Sequence, residues 1–121
     1  YDALALIDII QQSKTPVYTV ALGWCMSAGL WIFTAGARRL VGANATLMFH
    51  DVKTWIHDKT SGVQQELDEA KRLSEKFCDA ITAVSRIAPV DLEHYITTKA
   101  EWYIPAEKAV ALKLADEIYS K

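Results

Sequence analysis

The chain has 121 residues, 51% of them apolar, with 13 basic and 15 acidic side chains for a formal charge of -2. That length and composition suit one hydrophobic core in a single domain, residues 1–121, and the near balance of charge leaves no electrostatic footprint for nucleic acid. The two cysteines, Cys25 and Cys78, lie in apolar contexts without metal-ligand spacing. They read as buried free thiols in a reducing compartment rather than as a zinc site or a disulfide.

Residues 1–13 form an amphipathic helix with Leu4, Leu6, Ile7 and Ile10 on one broad apolar face and Asp2, Asp8 and Gln11 off it. The chain opens at Tyr1 inside this helix, without an initiator methionine, a basic leader or a cleavage signal, so a missing N-terminal portion is expected. Pro16 ends the helix, because proline disfavours helical backbone in the residue before it. From Thr15 to Ala37 there are 23 residues without a charge, long enough to span a bilayer, with Arg38-Arg39 behind them. Pro16, three glycines and a β-branched first half favour a buried strand, turn and helix instead.

The strand is predicted at 17–22, Val-Tyr-Thr-Val-Ala-Leu. The turn is Gly23-Trp24-Cys25-Met26-Ser27-Ala28-Gly29, and a helix over 27–36 follows. A strand that turns sharply into a helix presents its turn side chain at the sheet edge and aims free helix N–H groups at whatever binds there. A serine in that position suits a nucleophile, and small neighbours let a substrate backbone approach; tight packing alone accounts for the same pattern.

Gly36 closes the helix, 38–41 is extended, 42–45 is a turn, and Thr46-Leu47-Met48-Phe49-His50 is a second buried strand. Strand, helix, strand over about 30 residues implies a parallel crossover. His50 then falls at a strand end, where open α/β sheets build their sites, although a lone histidine there also serves as an ordinary structural residue. Residues 51–60 read as a protruding loop with His57 and Asp58 at a solvated tip. A long helix is predicted over 61–88, started by Ser61 and stopped by Pro89, roughly 40 Å in length. Val63, Ala70, Phe77 and Val84 recur every seven residues; Leu67 and Ile81 occupy a second seam that Ser74 interrupts. So narrow an apolar stripe implies a helix that projects and packs on a partner. A short helix over 90–98, an extended run over 101–104, a helix over 105–113 and a short strand over 115–118 complete the chain.

Three segments, in order, resemble the ClpP peptidases. Gly23 to Gly29 resembles the family's serine turn, and Leu47-Met48-Phe49-His50-Asp51 its strand ending in the catalytic histidine. Glu101-Trp102-Tyr103-Ile104-Pro105-Ala106-Glu107-Lys108-Ala109-Val110, running on to Leu114-Ala115-Asp116-Glu117-Ile118, resembles its acid-bearing segment and C-terminal helix. The outline is most similar to phage-type members. The resemblance implies an α/β fold of ClpP/crotonase type, a parallel sheet with flanking helices and a protruding long helix, the family's handle, over about 51–88.

Carried over residue by residue, the resemblance makes Ser27 the nucleophile and His50 the general base. Glu101 stands where the family has an aspartate; a glutamate orients an imidazole from one methylene further away. The N–H of Ala28 would supply one oxyanion donor. The family's other donor lies in a glycine-rich loop that these residues do not contain, and losing such a donor lowers activity about 10²–10³-fold. Val52, Lys53, Thr54, Trp55 and Ile56 would form the edge along which a substrate adds as a strand.

By the same resemblance the protein is a serine endopeptidase without a cofactor, acting on unfolded or extended polypeptides in a cytoplasmic chamber. The chamber would be built of homo-oligomeric rings joined through the helix 61–88, with an ATP-dependent unfoldase as partner and neither nucleic acid nor membrane involved. Three alternatives stay open: an inactive ring subunit of the same fold, a crotonase-like acyl-CoA enzyme, and a membrane-linked signal-peptide peptidase. The last needs a lysine base, and Lys14, Lys53 and Lys59 sit in no matching motif.

Overall fold

The computed structural model describes residues 2–52 and 64–120. The first helix, α1 (Asp2–Gln12), buries Ile7 and half-buries Leu4 and Ile10, but leaves Leu6 and Ile9 exposed. The broad apolar face expected from the sequence is therefore narrower in the fold, because α1 rests on α2 (Ala28–Thr34) along one line.

The uncharged stretch that follows is not one strand and a turn but two strands, β1 (Tyr18–Ala21) and β2 (Trp24–Met26). Gly23, at φ 68°, separates them in a backbone region that side chains with a Cβ avoid. At this point the chain changes partners. β1 runs parallel to β3 (Arg38–Val41), whereas β2 runs parallel to β4 (Thr46–Phe49). The Gly42 N–H donates to the Ala21 carbonyl at 2.8 Å and the Thr46 N–H to the Gly23 carbonyl at 2.7 Å, so pairing passes from one ladder to the other without a gap.

Among the described residues two three-stranded sheets result, in the orders β1-β3-β6 and β2-β4-β5. β6 (Glu117–Ile118) is parallel to β3, while β5 (Trp102–Pro105) is antiparallel to β4. The expectation of a parallel sheet thus holds for three of the four strand pairs. The second sheet is mixed because β5 runs against β4 while β2 runs with it.

Helix α2 is shorter than predicted and ends at Thr34. Beyond it the chain passes close over β1: a Cβ on Gly36 would sit 2.3 Å from the Thr19 Oγ1. That Thr19 hydroxyl donates to the Phe33 carbonyl at 2.8 Å, clasping the end of α2 to the sheet.

The long helix, α3 (Gln64–Val84), has 21 described residues, about 30 Å of helix. The expected start at Ser61 and the loop over 53–60, with His57 and Asp58, lie outside the described residues. Ala70, Leu73, Ser74, Phe77 and Ile81 are buried, but Leu67 is exposed. Burial thus begins only at the second turn, and the seam position held by Ser74 is inside rather than interrupted. The helix stops at Val84, not Ala88, because Ser85 turns its hydroxyl back to the Ile81 carbonyl at 2.7 Å and accepts the Ile87 N–H at 3.1 Å.

Pro89 opens α4 (Pro89–Thr98), with the Asp91 carboxylate accepting the Ala88 N–H at 3.0 Å. Pro105 closes β5 and leads into α5 (Ala106–Ala111).

The core joins Leu30, Trp31, Phe33, Leu47, Phe49, Phe77, Ile81, Leu92, Ile104 and Leu114. Each such side chain contributes about 1.5–3 kcal/mol on burial. Phe77 lies at its centre, stacked on Trp31 at 5.1 Å and tilted against Phe49 at 5.3 Å. Arg39, a charged side chain, is built into this region. Arg39 donates from Nε to the Leu114 carbonyl at 2.8 Å and from Nη2 to the Val84 and Lys113 carbonyls at 3.1 and 3.2 Å. The Asp116 carboxylate accepts the Arg39 backbone N–H at 2.7 Å. One guanidinium therefore ties together β3, the end of α3 and the segment before β6. Among the described residues no helix is long and apolar enough to cross a membrane.

Candidate active site

The break between β2 and α2 consists of one residue. Ser27 has φ 56° and ψ -113°, a conformation that costs a residue with a side chain roughly 1–3 kcal/mol. Two main-chain bonds hold it there. Its N–H donates to the Met48 carbonyl at 3.0 Å, and its own carbonyl accepts the Trp31 N–H at 3.1 Å. Ser27 occupies the N-cap position of α2, yet its hydroxyl makes no capping bond to the helix. The strained backbone turns that hydroxyl towards β4 instead.

His50 follows the last residue of β4, and its Nε2 lies 2.8 Å from the Ser27 Oγ. Both residues are half-buried, open enough for a ligand and shielded enough to strengthen the hydrogen bond. With the Nε2 lone pair towards the hydroxyl, the pair has the geometry for proton transfer from oxygen to imidazole.

Glu101 immediately precedes β5. The β4–β5 ladder pairs Phe49 with Trp102, so one further step sets Glu101 opposite His50. Its exposed carboxylate accepts the Tyr103 hydroxyl at 2.6 Å. That hydrogen bond holds the Tyr103 phenol above its ordinary range, helped by desolvation and by the carboxylate's charge. Among the described residues no hydrogen bond joins Glu101 to His50. The structure therefore brings two of the three expected groups into contact and sets the third at the neighbouring ladder position, engaged with a tyrosine.

Ala28 is the first residue of α2, where an N–H has no carbonyl partner within its own helix. Val52, expected at the substrate edge, is buried, so its side chain belongs to the core. Lys53, Thr54, Trp55 and Ile56 lie outside the described residues. Cys25 and Cys78 are half-buried and form no disulfide with each other, and burial pushes the Cys25 thiol up to about 11. Such a thiol stays protonated at neutral pH.

Among the described residues no group of three histidine, cysteine or acidic side chains could hold a metal ion. A surface groove of about 350 Å³ between α4, β5 and α5, lined by His94, Tyr95, Trp102 and Lys108, includes neither Ser27 nor His50. Trp24 and Met26 of β2 are exposed beside the serine, and Trp24 meets Tyr103 edge-on at 6.0 Å.

Two features escape a reading of the sequence. The Met48 carbonyl that holds Ser27 carries no side-chain signal. The Ser74 hydroxyl, which donates to Asp51 Oδ1 at 2.7 Å, does carry one: a polar residue in an apolar seam.

The family model for Clp protease matches residues 1–121. The ATP-dependent Clp protease proteolytic subunit 1 of Prochlorococcus marinus (subsp. pastoris, strain CCMP1986 / NIES-2087 / MED4) is 26% identical over 124 residues. That alignment takes in 100% of this chain and 62% of the relative, so the chain spans under two thirds of that protein's length. The match along the whole chain, on an α/β fold with a parallel ladder and a long helix, makes the chain a member of the Clp protease family.

Proposed function

We propose that this chain carries the nucleophile and the general base of a Clp-type serine peptidase that cleaves unfolded or extended polypeptides. The observation that carries the reading is the 2.8 Å contact between the Ser27 Oγ and the His50 Nε2. It is made by a serine whose backbone is held at positive φ. Strain of this kind persists only where the surroundings impose it, and here it serves no capping purpose.

On this reading the Ser27 oxygen attacks the scissile carbonyl while its proton passes to His50 Nε2. The tetrahedral oxyanion meets the Ala28 N–H and a second donor from elsewhere in the protein. Collapse breaks the C–N bond, and His50 returns the proton to the leaving amine. Water, deprotonated by the same imidazole, then releases the acyl group from Ser27. Glu101 orients the imidazole once its carboxylate leaves Tyr103. The substrate lies extended beside residues 52–56, held by main-chain bonds that ignore sequence.

The relative's name describes an ATP-dependent protease and a proteolytic subunit. We carry both over as part of the proposal: a homo-oligomeric assembly joined through α3, fed by an ATP-dependent partner. A reducing, cytoplasmic setting suits two cysteines that form no disulfide.

Labelling with a fluorophosphonate probe tests the reading. The wild type labels at Ser27, Ser27→Ala abolishes the adduct, and His50→Ala slows it about 10²–10⁴-fold. A folded wild type that never labels overturns it in favour of an inactive ring subunit. The engagement of Glu101 by Tyr103 is the observation on that rival's side. Tyr103→Phe separates the two, because it speeds labelling where the tyrosine merely competes for the carboxylate and changes nothing in an inert subunit.

A further inference from the structure

Asp51 and Ser74 form a buried polar pair next to the proposed base, and neither has a place in the reaction described above. Both side chains are almost fully buried, at 4% and 6% exposure. The Ser74 hydroxyl donates to Asp51 Oδ1 at 2.7 Å, linking the residue after His50 to the middle of α3. The residue before His50 is held by the same helix, since Phe49 packs on Phe77, three positions along from Ser74. Phe77 also stacks on Trp31, whose N–H donates to the Ser27 carbonyl. One face of α3 thus grips the chain on both sides of His50 and, through Trp31, the helix that carries Ser27.

Stability alone does not call for this pair. Ser74 occupies a position where the helix's periodicity asks for an apolar side chain. A well-packed apolar pair in place of a buried carboxylate and its partner is usually as stable or more so. What the pair adds is direction, since a hydrogen bond sets an angle as well as a separation. Asp51 has only one backbone step to His50, so a fixed Asp51 carboxylate limits how far the imidazole base can swing.

We propose that Ser74, acting through Asp51, is a positioning residue that holds His50 within reach of Ser27. The inference rests on the peptidase reading for its kinetic consequence but not for its geometric one. In the assembled full chain, three variants are compared: Ser74→Ala, Ser74→Thr, which keeps the hydroxyl, and Ile81→Val. The last removes core packing on the same helix, far from Asp51 in sequence. Melting temperature, fluorophosphonate labelling rate, and kcat and KM on an unstructured peptide are measured for each.

Ser74→Ala is expected to slow labelling and kcat about 10–100-fold with KM nearly unchanged, the effect of a base displaced by about an ångström. Ser74→Thr restores most of the rate, and Ile81→Val leaves it intact at a comparable drop in melting temperature. Rates that follow melting temperature alike in Ser74→Ala and Ile81→Val overturn the proposal. Crystal structures of the wild type and Ser74→Ala decide the matter even if the wild type never labels. A Ser27–His50 hydrogen bond present in the wild type and broken in the variant sustains the positioning role without the peptidase reading. The same bond intact at 2.8 Å in the variant overturns it.

Discussion

Arg38 and Arg39 are neighbours on β3 with opposite surroundings, and removing each in turn tests how the fold is held together. Arg39 is 8% exposed, and its guanidinium reaches three carbonyls, those of Leu114, Val84 and Lys113. Arg39→Ala leaves these oxygens facing a cavity that water fills only in part. Hydrogen bonds from a charged donor contribute about 1.5–3 kcal/mol each, and partial hydration recovers some of that. Loss of the ion pair to Asp116, at 3.8 Å, adds little. The net destabilisation expected is about 3–5 kcal/mol, the range for breaking a buried charged network. Arg39→Lys recovers only part of it, because one ammonium cannot span carbonyls that a planar fork reaches together. Arg38, by contrast, meets Glu117 at 2.9 Å in solvent, and Arg38→Ala is expected to unfold where the wild type does. Urea unfolding followed by tryptophan fluorescence measures all three, and Arg39→Ala should lower the midpoint by about 2 M. Equal midpoints for Arg38→Ala and Arg39→Ala would refute the reasoning.

Two further outcomes can be checked in the same assay. Gly36→Ala sets a methyl 2.3 Å from the Thr19 Oγ1 and 3.0 Å from the Arg38 carbonyl, forcing the Thr19 hydroxyl off Phe33. A loss of about 2–4 kcal/mol is expected, and a second change, Thr19→Ala, should return part of it by making room. Cys25 gives a pH dependence. Burial raises its thiol from 9.0 to about 11, so the folded chain keeps a proton that the unfolded chain releases. Its contribution is complete below about pH 9 and is lost as pH rises through about 11, a change of about 2–3 kcal/mol. The difference in urea midpoint between wild type and Cys25→Ala, followed from pH 8 to 11, isolates it; a difference that stays flat refutes it.

Much of the site is legible without coordinates because its two contacting residues sit where short patterns end. Ser27 closes a run of small residues after a β-branched strand, and His50 closes a second apolar run. What is not legible depends on partners. Nothing in 17–26 says that the chain leaves one ladder for another at Gly23, since strand propensity is blind to which neighbour supplies the hydrogen bonds. Leu6 fits an apolar face that only the position of α2 could narrow. Glu101 stands next to the strand end that faces His50, but a rotamer choice between Tyr103 and His50 leaves no trace in the order of residues. Ser74 reads as a defect in a heptad because the group it serves is 23 positions away along the chain.

The hydrogen bond from the Ser27 amide to the Met48 carbonyl has a consequence of its own. It is a peptide-to-peptide link, so the alignment of two neighbouring strands decides that the imidazole faces the hydroxyl at all, before any side chain adjusts the distance between them. A slip of one residue would carry the imidazole to the opposite face of the sheet. Reactivity towards a serine-directed probe would then report on the folding of the sheet itself, with correct alignment and chemical competence arriving in a single event.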